Sequence, residues 1–176
     1  ASSRPPRRSW APGPRRGPDV DESTPGSEES LAGPGEKLIL LVDDDESLLD
    51  LMEHLVQKEG FRTDRASDGN DALRKADAIS PDLIIMDFML PGLGGYEVVR
   101  QLQAAGSGHI PVVVISGRTM DRKNVDMVRF EPNVKEFMQK PLKPAALAAT
   151  LHSILKTRPP AINRAPGRGP MSGGIF

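Results

Sequence analysis

The chain alternates short apolar runs with longer stretches in which apolar residues recur every three or four positions. LILLV (38–42), DLIIM (82–86) and PVVVI (111–115) are continuous apolar runs, the pattern of strands covered on both faces. SLLDLMEHLVQKEG (47–60) sets Leu48, Leu51, Met52, Leu55 and Val56 at helical spacing and stops at Gly60. FRTDRA (61–66) reads as a more exposed strand, and DGNDALRKADAI (68–79) as a helix with Ala72, Leu73, Ala76 and Ile79 on one face. GYEVVRQLQAAG (95–106) predicts a helix ending at Gly106, DRKNVDMVRF (121–130) a weaker one, and VKEFM (134–138) a short strand. PAALAATLHSILK (144–156) closes the series with Pro144 well placed at a helix start. Strand and helix thus alternate five times. Right-handed crossovers then give an α/β fold with a parallel, doubly wound sheet.

The flanks break this pattern. Residues 1–36 are rich in Pro, Gly, Ser, Arg and acids and almost lack aliphatic side chains, so they bury too little to offset the entropy of ordering and read as a disordered tail. Their charge falls in blocks, Arg4, Arg7, Arg8, Arg15 and Arg16 before Asp19, Asp21, Glu22, Glu28, Glu29 and Glu36. That is the signature of a solvated segment more than of a nucleic-acid arm. Residues 158–176 read as a second tail, and Trp10 falls in the first, away from any core. The structured part is therefore 37–157. A formal net charge of −1 names no partner, and the ordered region is expected to make no direct nucleic-acid contact. The chain has no cysteine, which removes disulfides, Cys-ligated zinc and thiol chemistry. No apolar run reaches the roughly 20 residues of a membrane span, and the basic start lacks the apolar stretch of a signal peptide. A cytoplasmic location is the resulting expectation.

In doubly wound sheets ligands bind beyond the carboxyl ends of the strands. Those ends carry Asp43-Asp44-Asp45, then Asp87, then Ser116-Gly117, then Lys140-Pro141. Carboxylates gathered there repel one another unless a counter-charge is supplied. A hard divalent cation with oxygen ligands supplies it, and magnesium is the natural candidate because it takes one or two carboxylates, waters and phosphate oxygens. A lysine and a hydroxyl at the same edge could hold further oxygens of a phosphoryl group, so the chemistry suggested is metal-assisted phosphoryl transfer to a carboxylate. Asp45 better suits the amino end of the first helix than the metal. His54, His109 and His152 are scattered, and Phe88 and Tyr96 read as packing residues.

VDDDE (42–46), DFMLPGLGG (87–95), Ser116-Gly117 and Lys140-Pro141, in that order and at the ends of the right strands, resemble the receiver domain of two-component response regulators across about 37–157. The resemblance implies a flavodoxin-like five-stranded sheet in the order 2-1-3-4-5. It implies that Asp87 accepts a phosphoryl group from a phosphohistidine on a sensor histidine kinase or phosphotransfer protein. Asp44, Asp43, Asp87 and the backbone carbonyl of Met89 would hold Mg2+. Lys140 would pair with the acyl phosphate, Ser116 would hydrogen-bond one of its oxygens, and Phe137 would be the aromatic switch. Lys140-Pro141 would be a cis bond, and Met89 and Arg118 would stand where the phosphate lifetime is tuned. The domain would be a signalling switch rather than an enzyme in the usual sense, and either a stand-alone receiver or the receiver end of a larger protein.

The sequence also departs from the family. Gly94 stands where an Asp is usual, Phe137 lacks a hydroxyl, FEPNV (130–134) lacks the usual Gly-Ala, and Lys143 replaces the acid or serine that caps the last helix. Two rivals remain. An aspartyl-nucleophile phosphatase would need a second acid two residues after Asp87, where Met89 stands. A receiver-like module that binds partners without phosphorylation would have no use for Asp43, Asp44, Asp87, Ser116 and Lys140 together.

Overall fold

A computed structural model describes residues 31–117 and 121–161. Most of both expected tails, with Trp10 and Arg118, lies outside the described residues. After a 3-10 turn at Pro34–Glu36 the elements run β1 (Leu38–Val42), α1 (Glu46–Lys58), β2 (Arg62–Ala66), α2 (Gly69–Ile79) and β3 (Leu83–Asp87). They continue with α3 (Gly95–Ala104), β4 (Val112–Ser116), α4 (Arg122–Arg129), β5 (Val134–Gln139) and α5 (Pro144–Leu155). The strands form one parallel sheet in the order β2-β1-β3-β4-β5, as the doubly wound reading predicts.

Strand periodicity divides the core in two. Ile39, Leu41, Leu83, Ile85, Val113 and Ile115 face one side, where Leu49, Met52 and Val56 of α1 and Leu147, Leu151 and Leu155 of α5 cover them. Leu40, Val42, Ile84, Met86, Val112 and Val114 face the other, under Ala72 and Ala76 of α2, Val98, Val99 and Leu102 of α3 and Val128 of α4. Each fully buried aliphatic side chain contributes about 1.5–3 kcal/mol. The two rows together fix the register, because a slip by one residue would exchange them.

Local chemistry sets the helix ends. The Asp45 carboxylate accepts from the N–H groups of Ser47 and Leu48 at 2.9 and 3.3 Å and so starts α1, the role expected of it. Asp68 starts α2 by accepting from Asp71 N–H at 2.8 Å. By contrast α3, α4 and α5 begin at Gly94, Asp121 and Lys143 with no side-chain cap. At the edge of the sheet, Val112 pairs with Val134 but Val113 pairs with Glu136. Lys135 is therefore an extra residue on β5, a bulge that the sequence pattern does not announce.

His152 is buried on the face shared by α1 and α5. Its Nδ1 lies 2.6 Å from Thr157 Oγ1 and its Nε2 lies 3.1 Å from Glu59 Oε2, while the ring rests 5.0 Å from the ring centre of Phe61. Thr157 also forms an isolated parallel bridge with Ala32. Among the described residues no helix is long and apolar enough to cross a membrane.

Candidate functional site

β1 and β3 are neighbours, so their carboxyl ends deliver Asp43 and Asp87 side by side. Both carboxylates are almost wholly buried, at 1% and 5% exposure, whereas Asp44 is exposed. One carboxylate oxygen from each of Asp43, Asp44 and Asp87 lies within 4.8 Å of the other two. Lys140 reaches in from the end of β5, placing Nζ 2.9 Å from Asp87 Oδ2 and 3.4 Å from Asp43 Oδ2. The remaining oxygens are held by backbone. Met89 N–H donates to Asp87 Oδ1 at 3.1 Å, and Asp45 N–H donates to Asp43 Oδ1 at 2.9 Å.

Charge and burial compete here. Burial raises the Asp43 carboxyl above the ordinary carboxylate range, and the Asp87 charge adds to it, against the pull of the Asp45 N–H and the Lys140 ammonium. For Lys140 burial acts to lower the pKa, but the hydrogen bond and charge of Asp87, with Asp43 behind them, prevail and hold it above the usual lysine value. One lysine shared between two buried acids leaves Asp43 short of counter-charge. A hard cation would supply the deficit, and three carboxylates in one small space form the all-oxygen donor set such an ion prefers. The residues present thus fit a magnesium ion.

Ser116 ends β4, fully buried, with Oγ donating to Gly117 O at 3.2 Å. Lys140 N–H donates to Ser116 O at 2.8 Å, which ties the ends of β4 and β5 together. Lys140-Pro141 is a cis bond. Met89 lies at the rim, 66% exposed. Phe137 stands apart from the carboxylates, packed into the core under α4. Asp43, Asp44, Asp87 and Lys140 therefore converge, Ser116 borders them through Lys140, and Phe137 belongs to a neighbouring layer.

Gly95 is a residue the motif reading passes over. A Cβ there would lie 2.9 Å from Phe88 Cα and Phe88 O and 3.1 Å from Asp87 O. The first turn of α3 packs directly on the backbone that carries Asp87, and only hydrogen fits between them. Gly69 is similar, since its Cβ would meet Leu93 O and Val98 Cγ2 at 2.7 Å. The Gly94-Gly95 pair following β3 is the signal in the sequence, although it does not say which glycine is constrained. Asn133 is the third such residue. Buried, it donates through Nδ2 to Val99 O at 3.3 Å and accepts from Gln103 Nε2 at 2.8 Å, joining α3 to the start of β5.

Comparison with known proteins identifies the family. Residues 39–152 match the response regulator receiver domain family. The alkaline phosphatase synthesis transcriptional regulatory protein PhoP of Bacillus subtilis is 35% identical over 120 residues, covering 68% of this chain and 49% of PhoP. The DNA-binding response regulator MtrA of Mycolicibacterium smegmatis is 38% identical over 119 residues, covering 67% of this chain and 50% of MtrA. The chain thus spans about half the length of these curated relatives. Among solved structures, the receiver domain of sensor histidine kinase PA1611 from Pseudomonas aeruginosa PAO1 superposes with a TM-score of 0.62 at 26% identity, covering 72% of this chain and 100% of that one. Its active site cleft holds a coordinated magnesium ion.

Proposed function

Since this chain belongs to the response regulator receiver domain family, we propose that Asp87 accepts a phosphoryl group from a phosphohistidine on a sensor histidine kinase or phosphotransfer protein. An Asp87 carboxylate oxygen forms the new O–P bond as the P–N bond to the donor imidazole breaks, and the leaving nitrogen keeps the electron pair. The observation that carries this reading is the 2.9 Å contact of Lys140 with Asp87 beside the Asp43–Asp44 pair. It is a buried nucleophile with a cation ready to pair with the charge that arrives.

Asp43, Asp44, Asp87 and the Met89 carbonyl would hold magnesium. When bound, the ion neutralises negative charge on phosphoryl oxygens. Lys140 follows those oxygens once Asp87 carries the acyl phosphate. Ser116 Oγ exchanges Gly117 O for a phosphoryl oxygen, and the β4–α4 side of the molecule responds as a shift of population. The domain works as a switch and not as a turnover enzyme.

Acetyl phosphate with magnesium tests the reading. Intact-mass analysis should show one added phosphoryl group, stable in acid and labile in base, and Asp87→Asn should show none. Wild-type protein that gains no phosphoryl mass would overturn the assignment.

A further inference from the structure

Among the described residues six polar or charged ones are buried. Asp43, Asp87 and Ser116 serve the carboxylate site, and Asn133 joins α3 to β5. The remaining two, His152 and Thr157, are 7% and 5% exposed and are hydrogen-bonded to each other at 2.6 Å. The other ring nitrogen of His152 faces Glu59 Oε2 at 3.1 Å. A carboxylate only accepts, so Nε2 carries the hydrogen, and Nδ1 of the neutral ring accepts from the Thr157 hydroxyl. The phosphoryl site makes no use of this chain of bonds.

The same chain of bonds continues into the backbone. Glu59 ends α1 and adjoins Gly60, whose φ of +91° turns the chain toward β2. The Pro34 ring seats on that glycine, where a Cβ would lie 3.0 Å from Pro34 Cγ. Pro34 opens the 3-10 turn, in which Glu36 N–H donates to Gly33 O at 3.1 Å and Lys37 N–H to Pro34 O at 3.0 Å. Just before that turn, Ala32 bridges Thr157. The contacts close a circuit from Thr157 through His152, Glu59, Gly60 and Pro34 to Ala32 and back. It stands beside the start of β1, at the amino edge of the sheet, whereas the carboxylates stand at the carboxyl edge.

We propose that His152 clasps the segments that lead into and out of the domain, so that the two are seated and released as one unit. Neither is held firmly by itself. The 3-10 turn buries no residue, and the bridge to Thr157 is an isolated pair outside the sheet. Without the Thr157 hydroxyl, Nδ1 of the buried ring loses its partner, which is costly. Thr157 then loses its anchor, and Ala32 loses the backbone it bridges. Lys37 O is tied separately to β2 by Arg62 N–H at 3.0 Å, so the released segment ends there. A partner that takes hold of the chain before Ala32 is thereby felt by the chain after Thr157. That route neither crosses the sheet nor depends on phosphoryl transfer at Asp87.

Amide exchange on the full chain tests the clasp. Thr157→Val keeps the size of the side chain and removes the hydroxyl. It should quicken exchange at Glu36 and Lys37, across the bridge, roughly fivefold, the scale of one net hydrogen bond. The Met89 amide, at the opposite edge, should keep its wild-type rate. Thr157→Ser keeps the hydroxyl and is smaller, and it should leave Glu36 and Lys37 as they are in the wild type, which a role in packing alone would not. From the other side, Pro34→Gly frees the turn and should quicken exchange of the Thr157 N–H, now bonded to His152 O at 3.1 Å, by a similar factor. Wild-type exchange at Glu36 and Lys37 in Thr157→Val would overturn the clasp. A Pro34→Gly variant that loosens the turn and leaves Thr157 unmoved would do the same. So would a Met89 amide that quickens as much as Glu36 and Lys37, since the change would then be a general loosening and not the release of two joined segments.

Discussion

At the scale of single residues, the site separates groups that act from groups that make space. Asp44 is exposed while Asp43 and Asp87 are buried, so Asp44→Ala should lower magnesium affinity at least about tenfold, with little change in the urea midpoint. A magnesium titration unchanged by that substitution would remove Asp44 from the ligand set. Gly95→Ala should do the reverse. Its methyl group would press on Phe88 and on the Asp87 carbonyl, costing about 1–3 kcal/mol in urea unfolding and displacing the backbone that aims Asp87. The acidic pair, Asp87, Ser116 and Lys140 were all legible in the sequence, because topology places strand ends together and few residue types can serve there. Gly95, Gly69 and Asn133 were not. Their role is a distance between two backbones or a bond between two elements far apart in the chain, and neither leaves a mark on local pattern.

At the scale of elements, apolar spacing alone located every strand and helix of the sheet to within a few residues, since each buries a face with its own period. It did not find the 3-10 turn at Pro34–Glu36, which buries no residue, or the bulge at Lys135, which is a relation between β4 and β5. The helix ends offer a direct experiment. Lys143 holds an extended backbone, φ −92° and ψ 116°, at the start of α5 and supplies no acceptor. Lys143→Ser should cap the helix and stabilise the protein by about 1 kcal/mol, read as a higher urea midpoint at unchanged slope. A midpoint that stays or falls would show that the lysine contributes something a cap cannot replace. Gly94, with open space around it and a φ of −64°, should tolerate Asp and gain only a few tenths of a kcal/mol for α3.

At the scale of the whole molecule, the order β2-β1-β3-β4-β5 puts Arg65 on an edge strand beside α1, where it meets Glu53, Asp50 and Glu46. The hydrogen bond from Arg65 holds the Glu53 carboxyl below the ordinary glutamate value despite some burial. A depressed folded pKa means that the unfolded chain binds the proton more readily. The stabilisation is therefore complete above the unfolded glutamate pKa and is lost as pH falls through the lower folded one. Glu53→Gln should be less stable than wild type at neutral pH and should converge with it in acid. Parallel stability curves for the two proteins across that range would refute the linkage.

The bridge between Ala32 and Thr157 brings the two ends of the domain to within a strand spacing, about 5 Å. Geometrically the domain is then a loop that can be opened elsewhere. A circular permutant that joins Thr157 to Ala32 by a short linker and starts afresh between Gly106 and Ser107 should fold and keep the four convergent side chains in place. The same closeness makes the domain a cassette: it can be spliced into a surface turn of an unrelated protein without prising that turn apart.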